Sequence, residues 1–223
     1  MNACDLEILA EFNEYCKGIK NMYQYDVLFR WKSRVSLVIN TIRIWTLFYR
    51  NIRIRGLVNI HRTTIVRGLD GGVIELGKRV TASRNSMIAS VGGKLRIGDH
   101  TIFNTNNNIV CHELIDIGSD CMFGPNVCIY DHDHNFGYEG IQEGFKTGQV
   151  IIEDKCWIGA NVTILRNTHI GKGCIIGAGA IIKGIIPDHS LVIGKHNVVI
   201  KSLKKHEQFT KEENVDTNET TSK

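Results

Sequence analysis

Residues 157–190, WIGANVTILRNTHIGKGCIIGAGAIIKGIIPDHS, decide the fold. In this stretch and just before it an isoleucine occupies every sixth position. A helix repeats every 3.6 residues and a strand every two, so a period of six fits neither element alone. It fits a short strand that is followed by a tight corner. The recurring residues are Ile152, Ile158, Ile164, Ile170, Ile176 and Ile182.

The same period occupies two runs further upstream. The large apolar residues there are Ile97, Phe103 and Ile109, then Ile117, Phe123 and Ile129. A glycine often follows the large residue, and a small or β-branched residue stands four positions after it. Cysteines fill that small position at Cys121, Cys156 and Cys174.

A six-residue period has a direct structural consequence. Three strand-and-corner units close one triangular coil of about eighteen residues, and stacked coils form a prism of parallel strands. The large residue fills the interior, and the small one lies beside it near the corner. The sequence therefore predicts an all-β solenoid, a parallel β-helix, in which the three repeat cysteines belong to the core.

Residues 73–200 resemble the hexapeptide-repeat acetyltransferases, and the opening stretch carries the strongest part of the resemblance. The resemblance is to the galactoside and maltose acetyltransferase branch, of the type that O-acetylates surface polysaccharides. It implies a left-handed β-helix, a homotrimer with active sites between subunits, and acetyl-CoA as acyl donor.

The composition and the hydropathy pattern of the sequence divide the chain into three parts. We expect an N-terminal helical extension at 1–55, the β-helix domain at 56–202 with a protruding loop at 135–149, and a disordered polar tail at 203–223. The helical extension includes the apolar segment 35–49, which is flanked by basic residues. Packing on a neighbouring element or subunit and contact with a membrane surface both remain open for residues 30–55.

The period fails once on a large scale, between Ile129 and Ile152, which are 23 residues apart. Loops that leave a solenoid often carry function. Immediately before this one stands Asp131-His132-Asp133-His134. Three interpretations remain open for these four side chains: a solvated corner, a metal site, or a catalytic base with its orienting carboxylate.

The family resemblance favours the catalytic interpretation. It places the catalytic base at His134, with His132 as the second candidate and Asp131 or Asp133 as the group that orients the imidazole. An imidazole has a pKa near the working pH and can remove the proton of a sugar hydroxyl during its attack on a thioester. The family pattern of zinc-binding relatives does not fit His132 and His134, and we assign no metal.

The resemblance also implies residues that contact the two substrates. Small residues along the coenzyme A path let its pantetheine arm approach the backbone, while Trp157 flanks the donor or acceptor channel and a lysine meets a phosphate. Simple structural roles remain open for several of them, Lys183 above all. The implied donor-binding set is Trp157, Gly159, Ala160, Gly177, Ala178, Ala180, Lys183 and Lys195. The implied acceptor-binding set is Asn104, Asn106, His112, His132 and Trp157.

Charge and cysteine content bear on partners and location. The net charge of +4 conceals a run from 27 to 69 with nine basic and no acidic residues, which suits an anionic partner. Seven cysteines without a CxxC pair, and an N-terminus without an apolar signal segment, indicate a cytoplasmic protein, peripheral to the membrane if the basic segment binds lipid. We expect no nucleic-acid partner.

The predicted function is an acetyl-CoA-dependent O-acetyltransferase acting on a cell-surface polysaccharide or its sugar precursor. The basic, apolar N-terminal part of the chain fits acceptors that are polyanionic or lipid-linked. N-acetylation of an amino sugar or nucleotide sugar is the alternative enzyme activity. A metal enzyme like the γ-carbonic anhydrases and a non-catalytic β-helix scaffold are the remaining hypotheses.

Overall fold

The computed structural model describes residues 51–194, together with Val38, Ile39, Thr41 and Ile42, which are helical. Thr41 is joined to the solenoid, because its hydroxyl accepts the N–H of Val58 at 2.9 Å. Residues 51–55 of the predicted helical extension are described and contain a strand, Ile52–Ile54, instead of a helix. The remainder of that extension and the whole predicted tail lie outside the described residues. Among the described residues no helix has the length and apolar character to cross a membrane.

The described chain is built from short strands. Within it twenty strands follow in order: β1 (Ile52–Ile54), β2 (Asn59–Ile60), β3 (Ile65–Leu69), β4 (Val73–Leu76), β5 (Thr81–Ala82), β6 (Met87–Val91), β7 (Lys94–Ile97), β8 (Ile102–Phe103), β9 (Asn108–Cys111), β10 (Leu114–Ile117), β11 (Met122–Phe123), β12 (Cys128–Tyr130), β13 (His132–Gly137), β14 (Gly140–Thr147), β15 (Val150–Ile152), β16 (Trp157–Ile158), β17 (Thr163–Ile170), β18 (Ile175–Ile176), β19 (Ile181–Ile186) and β20 (Leu191–Val192).

The strands form three parallel faces, which confirms the predicted parallel solenoid. The first face contains β1, β4, β7, β10 and β15, the second contains β2, β5, β8, β11, β16, β18 and β20, and the third contains β3, β6, β9 and β12. Strands β17 and β19 bend around a corner, so that each belongs to the third face at its start and to the first face at its end. The chain completes about six coils.

The repeat positions form the core as predicted. All twelve large residues of the sixfold pattern are at most 4% exposed, and Phe103 stacks on Phe123 with ring centroids 4.6 Å apart. Cys121, Cys156 and Cys174 are buried free thiols at the small inward position, as predicted. The interior of the prism is therefore a continuous column of apolar side chains.

The coils differ in length from the predicted eighteen residues. The first face aligns Ile52, Ile74, Leu95, Ile115, Val150, Thr168 and Gly184, so successive coils contain 22, 21, 20, 35, 18 and 16 residues. Two of the three corners keep the spacing of six in every coil. All of the variation in coil length occurs at the corner between the third and first faces, because only there does the chain leave the aligned strands.

Two edges of the prism differ in the regularity of their corners. The variable edge, between the third and first faces, comprises 69–72, 91–93, 111–113, 131–149, 165–167 and 183. The asparagine–glycine edge, between the second and third faces, comprises 104–106, 124–126, 159–161 and 177–179. At the latter edge Asn106, Asn126, Asn161 and Gly179 have positive φ, a backbone conformation that these residue types adopt readily.

The predicted loop 135–149 is largely an antiparallel hairpin. Strands β13 and β14 pair in the register His132 with Thr147 and His134 with Phe145, with an irregularity between His134 and Phe136. The hairpin belongs to the variable edge and projects from the fourth coil. Strand β1 begins at Ile52, four residues before the start that the sequence assigned to the β-helix domain.

Glycine after the large repeat residue permits close stacking of the coils. A Cβ added at Gly98 would overlap the backbone of Gly118 and Ser119, whereas one at Gly177 would lie 3.1 Å from its nearest neighbour, the carbonyl oxygen of Val192. We expect Gly98→Ala to lower the free energy of unfolding by about 1–3 kcal/mol through overpacking. Gly177→Ala, the matched control, changes it by less than about 1 kcal/mol. Urea unfolding followed by circular dichroism measures both, and equal losses would contradict the stacking argument.

Candidate functional site

A buried carboxylate organises the variable edge where the hairpin begins. Asp131 has no exposed surface, and its two oxygens accept the backbone N–H groups of His112 at 2.8 Å and Glu113 at 2.7 Å. Its Oδ1 also lies 3.2 Å from Nδ1 of His132. The carboxylate thus joins the corner of the third coil to the first residue of β13, and it contacts His132 rather than His134.

Three imidazoles and one phenyl ring converge above this carboxylate. The ring centroids of His112 and His132 are 3.9 Å apart, and Phe145 lies 4.5 Å from His112 and 5.3 Å from His132. His134 lies 4.8 Å from the same phenyl ring. Alternate residues of a strand point to one side, so the hairpin places His132 and His134 on the face that also carries Phe145.

The surroundings of His112 disfavour its charged form. Partial burial lowers the pKa of His112, and the neighbouring imidazoles of His132 and His134 lower it further, while the charge of Asp131 opposes the change. Burial and the charge of Asp131 raise the pKa of the Cys111 thiol to about 12. At neutral pH this thiol is protonated and is not a nucleophile.

Asp133 is bound by an arginine from the next coil. Nε of Arg166 donates to Oδ2 of Asp133 at 2.6 Å, and the Arg166 side chain is only 7% exposed. This ion pair connects the variable edge of the fifth coil to β13, between the two histidines of the strand. In this structure the Asp133 carboxylate is thus paired with Arg166, and an orienting role of Asp133 toward His134 stays a prediction.

Tyr130 and Asn108 extend the site across the third face. The amide nitrogen of Asn108 donates to the Tyr130 hydroxyl at 2.9 Å, and the Tyr130 ring meets His132 edge-on with centroids 6.1 Å apart. Burial and the neighbouring Cys128 raise the pKa of Tyr130 to about 12, so the phenol is neutral and can donate its own proton. Oδ1 of Asn108 is a buried acceptor without a hydrogen-bond partner.

Four of the eight residues implied for donor binding lie on the asparagine–glycine edge. Gly159, Ala160, Gly177 and Ala178 lie in two successive coils. Gly159 is buried, and a Cβ added to it would lie 2.7 Å from the backbone nitrogen of Ala178, so this glycine permits close stacking of the coils. Trp157 is half-buried on the second face, where its strand pairs with those of Met122 and Ile175.

Three members of the donor set lie elsewhere. The methyl group of Ala180 is 1% exposed and points into the core, because Ala180 occupies the small inward position of its repeat. Lys183 is exposed on the variable edge. Lys195 lies outside the described residues.

The two implied acceptor asparagines are separated from the histidines within one chain. Asn104 and Asn106 are exposed at the asparagine–glycine edge, and the width of the third face lies between them and the variable edge. Oδ1 of Asn104 accepts the N–H of Thr105 at 2.8 Å, and Asn106 has φ of 61°, so both also shape the corner. His112 and His132 are the implied acceptor residues that the structure brings next to the catalytic candidates.

Sequence reasoning missed Arg166, Phe145 and the role of Tyr130 and Asn108. Arg166 carried one usable signal, because it is a large charged residue at a corner position where an otherwise regular repeat would have a small or apolar one. Phe145 carried none, because its contact with the imidazoles depends on the register of the hairpin. Within the described part of the chain no three His, Cys, Asp or Glu side chains converge as a metal site requires.

Comparison with known proteins gives a family and several relatives. Residues 149–184 match the family model described as bacterial transferase hexapeptide (six repeats). A probable acetyltransferase of Mycobacterium tuberculosis is 32% identical over 148 residues, which cover 65% of this chain and 48% of that protein. The galactoside O-acetyltransferase of Lactococcus lactis is 33% identical over 117 residues, 52% of this chain and 56% of that protein. The chain thus spans about half the length of these two relatives.

One curated relative is covered over most of its length. The protein WbbJ of Escherichia coli K12 is 28% identical over 185 residues, 78% of this chain and 89% of that protein. Its name assigns it provisionally to O-acetyl transfer in lipopolysaccharide biosynthesis. Among solved structures, a variant of the N-acyltransferase AntD from Bacillus cereus, in complex with dTDP-4-amino-4,6-dideoxyglucose and coenzyme A, matches with a TM-score of 0.58 and 20% identity. It covers 74% of this chain and 89% of that chain, and at this identity the likeness shows the fold alone.

The lowered pKa of His112 predicts how stability depends on pH. Between the folded and unfolded pKa values the unfolded chain binds a proton that the folded chain does not, so stability is lost as pH falls through the ordinary imidazole value near 6.5. We expect His112→Phe, which keeps a ring against His132 and Phe145, to reduce the loss of stability between pH 7 and 5.5. Urea unfolding at the two pH values measures this loss. Exposed His189→Asn is the control, and an unchanged pH dependence in His112→Phe would contradict the prediction.

The Arg166–Asp133 ion pair predicts the stability of the hairpin base. We expect Arg166→Met to increase cleavage by chymotrypsin at Phe136, Tyr138 and Phe145 several-fold, because the buried partner of Asp133 is lost. Limited proteolysis with mass spectrometry of the fragments measures the effect. Arg67→Met, which removes an exposed arginine of β3, should leave the cleavage pattern unchanged, and equal patterns for both variants would contradict the role of the ion pair.

Proposed function

We propose, from the premise that this chain belongs to the hexapeptide-repeat transferase family, that it transfers an acetyl group from acetyl-CoA to a hydroxyl of a cell-surface polysaccharide or its sugar precursor. His134 is the general base. The observation that carries the proposal is the group of three imidazoles at the base of β13–β14, the one large interruption of the sixfold period.

The two histidines of β13 differ in a way that favours His134 as the base. The side chain of His132 is 14% exposed, its Nδ1 faces Asp131, and its ring is packed against His112. The side chain of His134 is exposed and borders only Phe145 among the rings of the site. His132 therefore holds the corner together, while His134 is accessible to an acceptor hydroxyl.

The proposed reaction needs one proton to move twice. His134 accepts the proton of the acceptor hydroxyl as its oxygen attacks the thioester carbonyl carbon. The new C–O bond forms, the C–S bond breaks, and the imidazolium returns the proton to the departing sulfur, so that coenzyme A leaves as a thiol. Because the acetyl group passes directly between the substrates, the mechanism needs no nucleophilic cysteine, in agreement with the protonated state of Cys111.

The separation of the two edges supports a homotrimer. The imidazoles lie on the variable edge, and the residues that fit the donor lie on the asparagine–glycine edge of the same chain. A threefold assembly would place the histidines of one subunit against the donor edge of the next. Trp157 and Lys183 would then line the path of the donor, as the family resemblance implies.

The charge of one surface and the free thiols support a proposal for the acceptor and for the location of the protein. Arg53, Arg55, Lys94 and Arg96 surround the nearly buried Glu75, with N–O distances of 3.3–3.7 Å, and leave this surface positive. We propose that it attracts acceptors with anionic groups, and that the adjoining segment 30–55 contacts the cytoplasmic face of the membrane. The free thiols suit a cytoplasmic protein.

N-acetylation of an amino sugar would use the same base and donor. The nature of the product separates the two activities, because an ester is cleaved by mild alkali and an amide is not. We expect the mass of the purified product to fall by one acetyl group after mild alkali. A product that keeps its acetyl group under these conditions would reject O-acetylation in favour of the amide.

The assignment of His134 predicts unequal effects of the two histidines. We expect His134→Ala to lower kcat by roughly 10²–10⁴ with little change in the KM for acetyl-CoA, since the base acts in the transition state. The thermal unfolding midpoint should stay near that of the wild type, because His134 is exposed. His132→Ala should lower stability as well as activity. Near-normal turnover in His134→Ala would reject this residue as the base.

A further inference from the structure

An open groove lies on the first face, directly beside the hairpin base. Its volume is about 430 Å³. The polar side chains of its lining are one carboxylate, two amides, one accessible hydroxyl group and one imidazole, and the apolar ones are two isoleucines. The hydroxyl of Thr168 is buried and donates to the carbonyl oxygens of Leu165 and Ile182. The lining residues are Glu113, Thr147, Gly148, Gln149, Ile151, Asn167, Thr168, His169 and Ile185.

The floor of the groove is an apolar platform. Ile151, His169 and Ile185 are aligned in register on three successive coils, so their side chains form one row on the outside of the first face. Ile185 is 80% exposed, which is costly for a large apolar side chain unless something covers it. A platform of this kind suits the C–H face of a sugar ring, while the surrounding amides and carboxylate suit its hydroxyl groups.

The groove is continuous with the imidazole site. Thr147 in its wall is the cross-strand partner of His132, so the two side chains lie on the same face of the hairpin. Glu113 directly follows His112, and the backbone N–H groups of both residues bind Asp131. The N–H of Gly148 donates to the Asp131 carbonyl oxygen at 2.8 Å. A ring held in the groove would therefore lie beside Thr147 and His132, one strand alternation away from the proposed base, His134.

The electrostatics of the groove select among sugars. Among the residues that the structure describes, the lining includes Glu113 and no lysine or arginine, and a second carboxylate, Glu153, lies 2.8 Å from Nε2 of His169. Both carboxylates reach the surface. A carboxylate or phosphate on the bound ring would meet like charge, whereas a neutral ring or an ammonium group would not.

We propose that this groove is the acceptor subsite, that it takes a sugar ring without negative charge, and that Glu113 excludes anionic rings. The inference rests on the proposed function, because it assigns the acceptor of that reaction. Anionic groups elsewhere on the acceptor would lie outside the groove, where the cations around Glu75 can meet them. The subsite thus limits the charge of the modified ring and not that of the whole glycan.

Matched acceptors test this selectivity. The full chain is assayed with acetyl-CoA and two pairs of methyl glycosides, those of glucose and galactose with those of the corresponding uronic acids. We expect the wild type to prefer the neutral member by about tenfold or more in kcat/KM, and Glu113→Gln to reduce that preference by about fivefold or more. Asp70→Asn, which removes one negative charge from the variable edge of the first coil, should leave the preference unchanged.

A binding measurement separates failure of the subsite from failure of the proposed reaction. Saturation-transfer NMR with the same glycosides needs no turnover, and we expect signals for the neutral glycosides that are lost in Ile185→Glu and kept in the exposed control Leu57→Glu. Absence of acetyl transfer with these signals present would reject the proposed function but keep the subsite. Equal use of neutral and anionic glycosides, equal effects of Glu113→Gln and Asp70→Asn, or no wild-type signal would overturn the subsite.

Discussion

Backbone pairing between successive coils is the constraint on which this structure depends. Each strand of a face hydrogen-bonds to the strands before and after it, so every inward residue must stay aligned with its counterparts one coil away. An insertion within a face would turn inward residues outward. Additional chain can enter only at an edge, and in this protein coils of 16 to 35 residues differ at one edge alone.

The candidate site is a consequence of that constraint. The hairpin leaves the prism at the variable edge, and Asp131 compensates for the departure by accepting two backbone N–H groups of the coil before it. The same carboxylate then positions His132, and Arg166 of the following coil holds Asp133. Contacts from both neighbouring coils thus fix the start of the hairpin that carries His132 and His134. The polar segment therefore has a defined geometry.

The sequence predicted the core far better than the contacts of the site. All twelve repeat residues are buried where the period placed them, because the inward direction depends only on local strand geometry. His132 and His134 were recognised as candidates from their position beside the interruption, and His112 was a separate candidate for the acceptor pocket. The partners of Asp131 and Asp133 were not recognised: one binds backbone groups 18 and 19 residues earlier, and the other binds a side chain 33 residues later.

The spacing of isoleucine and glycine by itself determined that this chain winds into a three-faced column with parallel strands, because a period of six is a short-range property of neighbouring residues. Only the tertiary structure decided which carboxylate meets which imidazole, that Phe145 lies among the histidines, and that a groove adjoins them. Those contacts depend on the number of residues in each coil and on the register of the hairpin. Neither quantity follows from the repeat, since both arise where the repeat is interrupted.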